Sequence, residues 1–396
     1  MLAFTAERLL TPATAIEHPL LLVDDGRVVE MAAQSRLPVP TGVSAVDFGN
    51  STIAPGYIDL HIHGSAGFDV MDDAAEALPS IENLLARHGV TGYFPTTVTA
   101  PMDKTLRAIE RLADAIERCE RSHRNGSPNN KDSKPRALPL GIHLEGPFIS
   151  HARRGVHPPQ NLLAPTLALF ESLWQASRGQ IRMITIAPEL EGAIEVIAEA
   201  ARRGVCVSLG HSDADFATTE RAIDAGARHA THTFNAMRPL DHRDPGILGA
   251  VLSDDRVSAD IIADTVHVDP AVVKIFARAK GPEQSVLITD ATSATGMPNG
   301  RYHLGSFEVD VYDGKCTIDG KLAGSVLTLD RGVRNLAHFA EWDLGHAVAA
   351  ATRNPARVAK ITNKGILAPG ADADFVVLDP KGEVLRTFVG GVECCG

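Results

Sequence analysis

Hydrophobic and polar residues follow a recurring pattern along the middle of the chain. Short apolar runs rich in β-branched residues are separated by stretches with helical spacing, such as MDKTLRAIERLADAIERCE and EGAIEVIAEAARRG. This alternation predicts parallel strands joined by crossover helices. The eight apolar runs lie at 57–62, 92–98, 138–145, 181–187, 204–210, 229–234, 257–263 and 285–290. Eight strands close a (β/α)8 TIM barrel. An open doubly wound sheet is the alternative, but no GxGxxG follows any of the runs.

The two ends of the chain have a different pattern. LLLVDDGRVVEMAA and ADFVVLDPKGEVLRTFVGG contain strand-like runs around turns, without a long helix. We therefore expect residues 1–54 and 361–396 to form one small β domain beside a barrel of residues 55–360. FEVDVYDGKCTIDGK predicts a β-hairpin inserted near 301–322, and the polar, turn-rich segment 122–136 predicts a surface loop.

Histidines and carboxylates collect where the predicted strands end. In YIDLHIHG, strand alternation places Asp59, His61 and His63 on one face. The ends of later strands carry further side chains of the same kinds: His143 and Glu145 in GIHLEGP, His211 in SLGHSD, His232 in THTFNAM and Asp290 in LITDATSATG. Because active sites of (β/α)8 barrels lie at the carboxyl ends of the strands, we expect these residues to meet.

These residue types favour a metal centre. Zinc and similar divalent ions bind imidazole nitrogen and carboxylate oxygen. Glu145, His211 and His232 would form one site, and His61 and His63, with Glu145 bridging, a second. A bound ion lowers the pKa of water toward ~7, and Asp290 is the candidate that moves the proton. Individually, His143 could be a core residue, Glu145 an ion-pair partner and Asp290 a ligand or helix cap. His229, His303 and His346 are interpreted as surface or packing residues.

Composition and charge narrow the class of protein. The 396 residues are 44% hydrophobic and 22% charged, and the formal charge of −11 argues against nucleic acid or an acidic membrane as partner. The N-terminal residues lack the apolar core of a secretion signal, and no apolar run has the length of a membrane span. Five cysteines without a CxxC pair make a disulfide framework improbable, and Cys394 and Cys395 are expected in an exposed tail. A cytoplasmic location is expected.

The motifs also resemble a known family. An HxH on the first strand and a carboxylate after the eighth resemble the amidohydrolase superfamily. The set PGYIDLHIHG, GIHLEGPFIS, RRGVHP, SLGHSDAD, THTFNAM, ADTVHVDP and LITDATSATG is similar to the N-acetylglucosamine-6-phosphate deacetylases over nearly the whole chain. The resemblance implies a TIM barrel with a β-sandwich formed by both chain ends. It implies that Glu145 replaces the carboxylated lysine of many relatives, and that one or two divalent ions bind per subunit. Zinc is favoured over iron, manganese, cobalt or cadmium.

The resemblance further implies roles for individual residues. Asp290 acts as general base and then acid, and His157 contacts the acetamide or polarises its carbonyl, a role for which His143 is the alternative. Asn235 and Ala236 meet the phosphate, and His267 binds the sugar or phosphate region. Arg243 reaches the neighbouring site in a homodimer. Further substrate contacts are Val156, Leu322, Ala323 and Gly324.

The implied reaction is hydrolysis of N-acetylglucosamine 6-phosphate to glucosamine 6-phosphate and acetate. Alternatives within enzymes are another N-acyl amino sugar, a cyclic amide or deamination of an aromatic base. Outside enzymes, the alternatives are a metal-binding or assembly protein with a relic site and a sugar-phosphate sensor. The complete ligand set together with Asp290 favours an enzyme.

Overall fold

The structure, a computed structural model, describes residues 1–12, 14–124, 134–305 and 307–394. The predicted surface loop at 122–136 falls largely outside these ranges. Among the described residues, no helix combines the length and apolar character that a membrane crossing requires.

A parallel barrel occupies the middle of the chain. Each of the eight predicted runs contains a strand, and neighbours along the chain are neighbours in the sheet. The strands are Tyr57–Ile62, Val90–Thr97, Leu138–Pro139 with Ile142–Glu145, Ile181–Ile186, Cys206–Leu209, His229–Ala230, Ser258–Ile261 and Ser285–Leu287. The seam between the eighth and first strands closes through Asp290 N–H donating to His61 O at 2.9 Å, and His63 N–H to Ala291 O at 2.8 Å. The (β/α)8 prediction is confirmed.

Ten described α-helices and one short 3₁₀ helix accompany the strands. The α-helices are Ala77–Arg87, Met102–Arg124, Leu167–Ala176, Ala193–Arg202, Phe216–Ala225, Gly246–Ser253, Pro270–Gln284, Leu329–Ala340, Leu344–Ala350 and Arg353–Val358, and the 3₁₀ helix is Pro159–Asn161. Side chains cap several helix starts; Asp215, for example, accepts from Thr218 N–H at 2.7 Å. The apolar sides of the crossover helices pack on the strands; Val196, Ile197 and Ala200, for example, are buried in the core on a helix that packs against the fifth strand.

The chain ends form two further sheets, the first from N-terminal strands and the second from strands of both ends. One contains Leu2–Thr5, Pro19–Asp24, Arg27–Ala33 and Ala45–Asp47, and the other contains Arg8–Leu10, Ala15–Glu17, Thr52–Pro55, Phe375–Leu378, Val384–Val389 and Val392–Glu393. Their inner faces share one hydrophobic core, in which the Phe375 ring lies 5.0 Å from that of Phe4 and 4.3 Å from that of Phe388. This arrangement agrees with the expected sandwich, and the domain boundaries after residues 54 and 360 stay predictions. Cys394 is buried against Ala86 and Leu138, so the expectation that it lies in an exposed tail is wrong.

The segment after the eighth strand is larger than the predicted hairpin. It forms a four-stranded antiparallel sheet, here called the insert sheet, of Gly300–Leu304, Phe307–Tyr312, Lys315–Ile318 and Lys321–Leu322. Its apolar face buries Leu304 and Val309 against Val98 from the second barrel strand's end. A short ribbon of Gly64–Ser65 and Phe68–Asp69 lies beside it, and Gly305 N–H donates to Asp69 Oδ2 at 2.7 Å. The insert sheet therefore lies over the carboxyl ends of the barrel strands.

Candidate metal centre and active site

Five buried side chains of metal-ligand type converge at the carboxyl end of the barrel. They form two groups that share Glu145: His61 and His63 with Glu145, and His211 and His232 with Glu145, the ligand atoms of each group lying within 4.8 Å of one another. Glu145 Oε1 is 3.1 Å from His211 Nε2 and 3.0 Å from His232 Nε2. Its Oε2 is 3.2 Å from His63 Nε2. The two sets proposed from the sequence are therefore assembled around one bridging carboxylate.

Backbone geometry at the strand ends aims these side chains inward. His61 and His63 share one face of the first strand, and Glu145 ends the third. His211, His232 and Asp290 follow their strands with φ of 48°, 31° and 50°, in the left-handed region that residues other than glycine rarely adopt. Such strained conformations concentrate at functional sites, where the surrounding structure stabilises them.

Hydrogen bonds on the far sides of two rings test whether this donor set suits a metal ion. His63 Nδ1 is 2.9 Å from Thr96 O, and His211 Nδ1 is 2.9 Å from Arg153 O. A carbonyl only accepts, so each Nδ1 carries the proton, and in the neutral ring Nε2 presents a lone pair. These lone pairs face the oxygens of Glu145, an arrangement that a divalent cation bound between them would stabilise. The donor set therefore fits a divalent ion, with hydrogen bonds of the kind that orient metal-binding histidines.

The charge state of Glu145 agrees with this interpretation. Burial alone would raise its pKa, but the charge of His61 and the contacts of the carboxylate with His157, His211 and His232 hold the pKa well below its ordinary value. An ionised carboxylate at the centre of the cluster is the form that binds a metal.

Asp290 contacts both histidines of the first strand. Its Oδ1 is 3.1 Å from His63 Nε2 and 3.5 Å from His61 Nε2. Burial opposes ionisation of the carboxyl, but His61 and His63 together lower its pKa below the ordinary value. Gly324 packs on this residue, because a Cβ at Gly324 would come within 2.9 Å of Asp290 O. Asp290 is thus an ionised carboxylate at the wall of the cavity described below.

His143 lies beneath the cavity, and both of its ring nitrogens are already hydrogen-bonded. Nδ1 is 3.0 Å from Leu60 O, and Nε2 is 2.8 Å from Thr185 Oγ1. It therefore has no ring N–H to offer a substrate, and its alternative role in polarising the carbonyl is not supported. Burial, reinforced by the charge of His61, holds the pKa of His143 well below its ordinary value.

His157 presents the opposite arrangement. Thr99 N–H donates to its Nδ1 at 3.3 Å, so the ring proton of the neutral form lies on Nε2. That Nε2 is 3.4 Å from Glu145 Oε2, and the residue lines the cavity. His157 therefore offers an N–H donor next to the metal-ligand cluster.

A cavity of about 230 Å³ opens above the cluster. Of the substrate contacts expected from the sequence, it is lined by Val156, His157, Asn235, Ala236, His267, Leu322, Ala323 and Gly324, and the insert sheet adds Leu304 and Phe307. His267 is held by Asp264, whose Oδ2 is 2.7 Å from His267 Nδ1, which leaves Nε2 free. Arg243 does not line the cavity and is exposed on the loop after the sixth strand.

Two buried carboxylates near the site were given no role in the sequence analysis. Asp59 accepts from Thr289 Oγ1 at 2.6 Å and from His61 N–H at 3.3 Å, so it ties the first strand to the segment carrying Asp290. Asp260 accepts the backbone N–H of His232 and lies 3.0 Å from His229 Nε2. The sequence feature that could have identified both residues is a carboxylate inside an apolar strand, because such a group is costly to bury without partners.

Comparisons with known proteins agree with this geometry. The Amidohydrolase family model matches residues 52–394. The chain belongs to the amidohydrolase family. It is 37% identical, over 90% of its length and 88% of the relative's, to an N-acetylglucosamine-6-phosphate deacetylase of Lysinibacillus sphaericus. It is 38% identical, over 98% of its length and 97% of the relative's, to an N-acetylgalactosamine-6-phosphate deacetylase of Escherichia coli O157:H7.

This amidohydrolase is also similar to a solved deacetylase structure. N-acetyl-D-glucosamine-6-phosphate deacetylase from Mycobacterium smegmatis, a mutant in complex with N-acetyl-D-glucosamine-6-phosphate, superposes with a TM-score of 0.89 at 34% identity. The match covers 100% of this chain and 99% of that one. The resemblance stated from the motifs is therefore confirmed.

Proposed function

We propose that this amidohydrolase hydrolyses the acetamide of N-acetyl-D-glucosamine 6-phosphate to D-glucosamine 6-phosphate and acetate, in the breakdown or recycling of amino sugars. The observation that carries the proposal is the convergence of Glu145, four histidines and Asp290 at one cavity, in a chain 37% identical over 90% of its length to such an enzyme. Water cleaves the C–N bond of the acetamide: its oxygen joins the acetyl carbon to give acetate, and both of its protons end on the departing amine nitrogen.

Glu145, His211 and His232 would hold the primary ion, and His61 and His63, together with Glu145, would hold a second where two bind. Zinc suits these nitrogen and oxygen donors. A bound divalent ion supplies Lewis-acid chemistry, polarising a carbonyl and lowering the pKa of water toward ~7.

Asp290 and His157 act on the substrate from the two sides of the cluster. Asp290 accepts a proton from the attacking water at its carboxylate and returns it to the departing amine nitrogen. His157 donates its Nε2–H to the carbonyl oxygen, on which negative charge develops in the transition state. The fixed orientation of its ring, with Nδ1 bonded to Thr99, supports this role.

The phosphate end of the substrate binds near Asn235, Ala236 and His267. Among the described residues that line the cavity there is no lysine or arginine, although a phosphate dianion is best paired with a cation. The exposed Arg243 forms no side-chain hydrogen bond or ion pair with the described part of the chain. These facts support a homodimer in which Arg243 of one subunit completes the phosphate site of the other.

One assay tests the substrate. Purified protein of known metal content is incubated with N-acetylglucosamine 6-phosphate or with unphosphorylated N-acetylglucosamine, and released acetate is measured. We expect rapid, chelator-sensitive release from the phosphorylated sugar and little from the other. No release from either by the metal-loaded protein would overturn the proposal.

N-acetylgalactosamine 6-phosphate is a second candidate substrate, favoured by the 38% identity to the Escherichia coli relative. The two sugars differ only in the orientation of one hydroxyl group. The same assay with both sugars ranks them by kcat/KM, and a higher value for the galactose form would replace the first proposal.

A further inference from the structure

Four buried side chains form a continuous chain of hydrogen bonds across the barrel interior, beneath the metal cluster. Ser208 Oγ is 2.5 Å from Thr231 Oγ1, Thr231 Oγ1 is 2.8 Å from Thr185 Oγ1, and Thr185 Oγ1 is 2.8 Å from His143 Nε2. All four residues are fully buried. The chain joins the fifth, sixth, fourth and third barrel strands, and it ends where His143 Nδ1 meets Leu60 O of the first strand at 3.0 Å.

The positions of the protons in this chain follow from the acceptor at its end. Leu60 O accepts only, so Nδ1 of His143 carries a proton. An imidazolium is excluded, because no carboxylate is hydrogen-bonded to this fully buried ring. Nε2 is therefore an acceptor, and Thr185 must donate to it.

Each hydroxyl has one proton, so the remaining bonds have a fixed direction. Thr185 uses its proton on His143, so it accepts from Thr231, and Thr231 in turn accepts from Ser208. Every bond points toward His143, and hydrogen bonds in such a chain polarise and strengthen one another.

His143 in turn contacts a metal-ligand candidate. Its ring lies edge-on to the ring of His61, with centroids 4.7 Å apart. His61 Nδ1 is a buried atom without a hydrogen-bond partner in the described structure. His61 therefore lacks the far-side hydrogen bond that fixes His63 and His211, and its ring is held by packing, with the His143 ring at 4.7 Å and the His63 ring at 5.0 Å.

We propose that the directed chain Ser208, Thr231, Thr185, His143 positions His61 for metal binding, with Thr185 as the essential link. None of the three hydroxyl residues lines the cavity, so they are positioning residues. The inference rests on the metal site of the proposed function. Its tests measure proton positions and zinc retention rather than turnover, so this inference and the proposed function can fail independently of each other.

Neutron diffraction from crystals of the deuterated protein tests the direction of the hydrogen bonds in this chain. We expect deuterons on His143 Nδ1, on Thr185 Oγ1 toward His143, and on Thr231 Oγ1 toward Thr185. A deuteron on His143 Nε2 would reverse the chain and overturn the proposal.

Zinc retention tests whether the chain of hydrogen bonds positions His61 for metal binding. Zinc-loaded wild type, Thr185→Val, Thr185→Ser and Ser208→Ala are titrated with a chelator, and the zinc remaining per chain is measured. Loss of a partner that orients a metal-binding histidine weakens metal affinity by about 10- to 100-fold. We expect a loss of this size in Thr185→Val, in which His143 Nε2 has no donor.

Two variants are matched controls. Thr185→Ser keeps the hydroxyl, and Ser208→Ala removes only the far end of the chain, so both should retain zinc nearly as the wild type does. Thermal melts establish that each variant is folded. If folded Thr185→Val holds zinc as tightly as the wild type, or if Thr185→Ser is as weak as Thr185→Val, the positioning role is wrong. If Thr185→Val does not fold, Thr185→Ala removes the same donor to His143 Nε2 and takes its place with the same expected loss of zinc, and the neutron structure of the wild type still decides the direction of the chain.

Discussion

At the scale of single residues, hydrogen bonding rather than proximity separates the roles of two histidines. His143 and His157 both lie close to the ligand cluster, but His143 uses both nitrogens on the barrel interior. His157 accepts on Nδ1 and keeps its Nε2–H toward the cavity. Because sequence spacing does not reveal which ring nitrogen carries a proton, both histidines were candidates for the carbonyl contact until the structure was known.

Replacing His157 tests this distinction. His157→Ala should lower kcat by about 10²- to 10³-fold with a small change in KM, since loss of one oxyanion donor has an effect of this order. Steady-state acetate release gives both parameters, and zinc analysis checks that the cluster is intact. His151→Ala, a change at an exposed histidine six positions earlier in the chain, is the control. Equal turnover in the two variants would contradict the role of His157.

At the scale of elements, the insert sheet supports the strand end that carries Asp290. Ser325 directly follows the insert sheet and Gly324, and its N–H donates to Asp290 O at 2.7 Å. Its Oγ donates to Thr289 O at 2.6 Å. The return of the chain from the insert sheet thus holds the left-handed conformation of Asp290 from behind.

A glycine substitution separates this support from general strain. Gly324→Ala would place a Cβ 2.6 Å from Thr292 Cγ2 and 2.9 Å from Asp290 O, at a φ of +60°. Gly320→Ala, at a φ of +76°, has no atom within 4 Å and carries only the left-handed strain of about 1–2 kcal/mol. We expect Gly324→Ala to lose more unfolding free energy than Gly320→Ala. We expect a fall in kcat only in Gly324→Ala. Thermal melts and acetate release compare the two variants. Equal stability and equal turnover would contradict the proposed support of Asp290 by the segment after the insert sheet.

The barrel and its ligands were predictable because each has a local signature. Buried parallel strands are apolar runs bounded by turns, and polar side chains at their ends are conspicuous. The strands at His229–Ala230 and Ser285–Leu287 are shorter than the predicted runs, since His232 and Asp290 lie in left-handed turns. The four-stranded insert and the hydroxyl chain were not predictable, because both depend on contacts between distant segments. Thr185 and Thr231 have no feature in the sequence that distinguishes them from other threonines in strands.

At the scale of the whole molecule, a buried ion pair ties the segment that follows the last helix to the sheets of the chain ends. Lys364 Nζ, after the last helix, is 2.6 Å from Asp374 Oδ2 and 2.9 Å from Asp372 Oδ2. Asp374 also accepts Gly390 N–H at 2.8 Å. Burial alone would lower the pKa of Lys364, but the two aspartates raise it above its ordinary value.

Lys364→Met should destabilise the protein by about 3–5 kcal/mol, because it leaves buried carboxylates unpaired. Since the folded pKa of the lysine is raised, its contribution is complete below the unfolded value of about 10.4 and is lost only as pH rises through the folded value. The difference between wild type and variant in denaturant unfolding should thus be constant from pH 6 to 9, a range chosen to lie below about 10.4. Lys381→Met, at an exposed lysine, is the control. A difference no larger than the control's would contradict the assignment.

The measurement that tests the central claim most directly is turnover by Asp290→Asn. Asparagine keeps the size of the side chain but cannot accept the proton, and loss of a general acid–base residue lowers rates by about 10²- to 10⁴-fold. We predict that the variant retains zinc and binds N-acetylglucosamine 6-phosphate but releases acetate slower by this factor. Near-normal acetate release from a folded, zinc-loaded Asp290→Asn would remove Asp290 from the proton transfer and contradict the account.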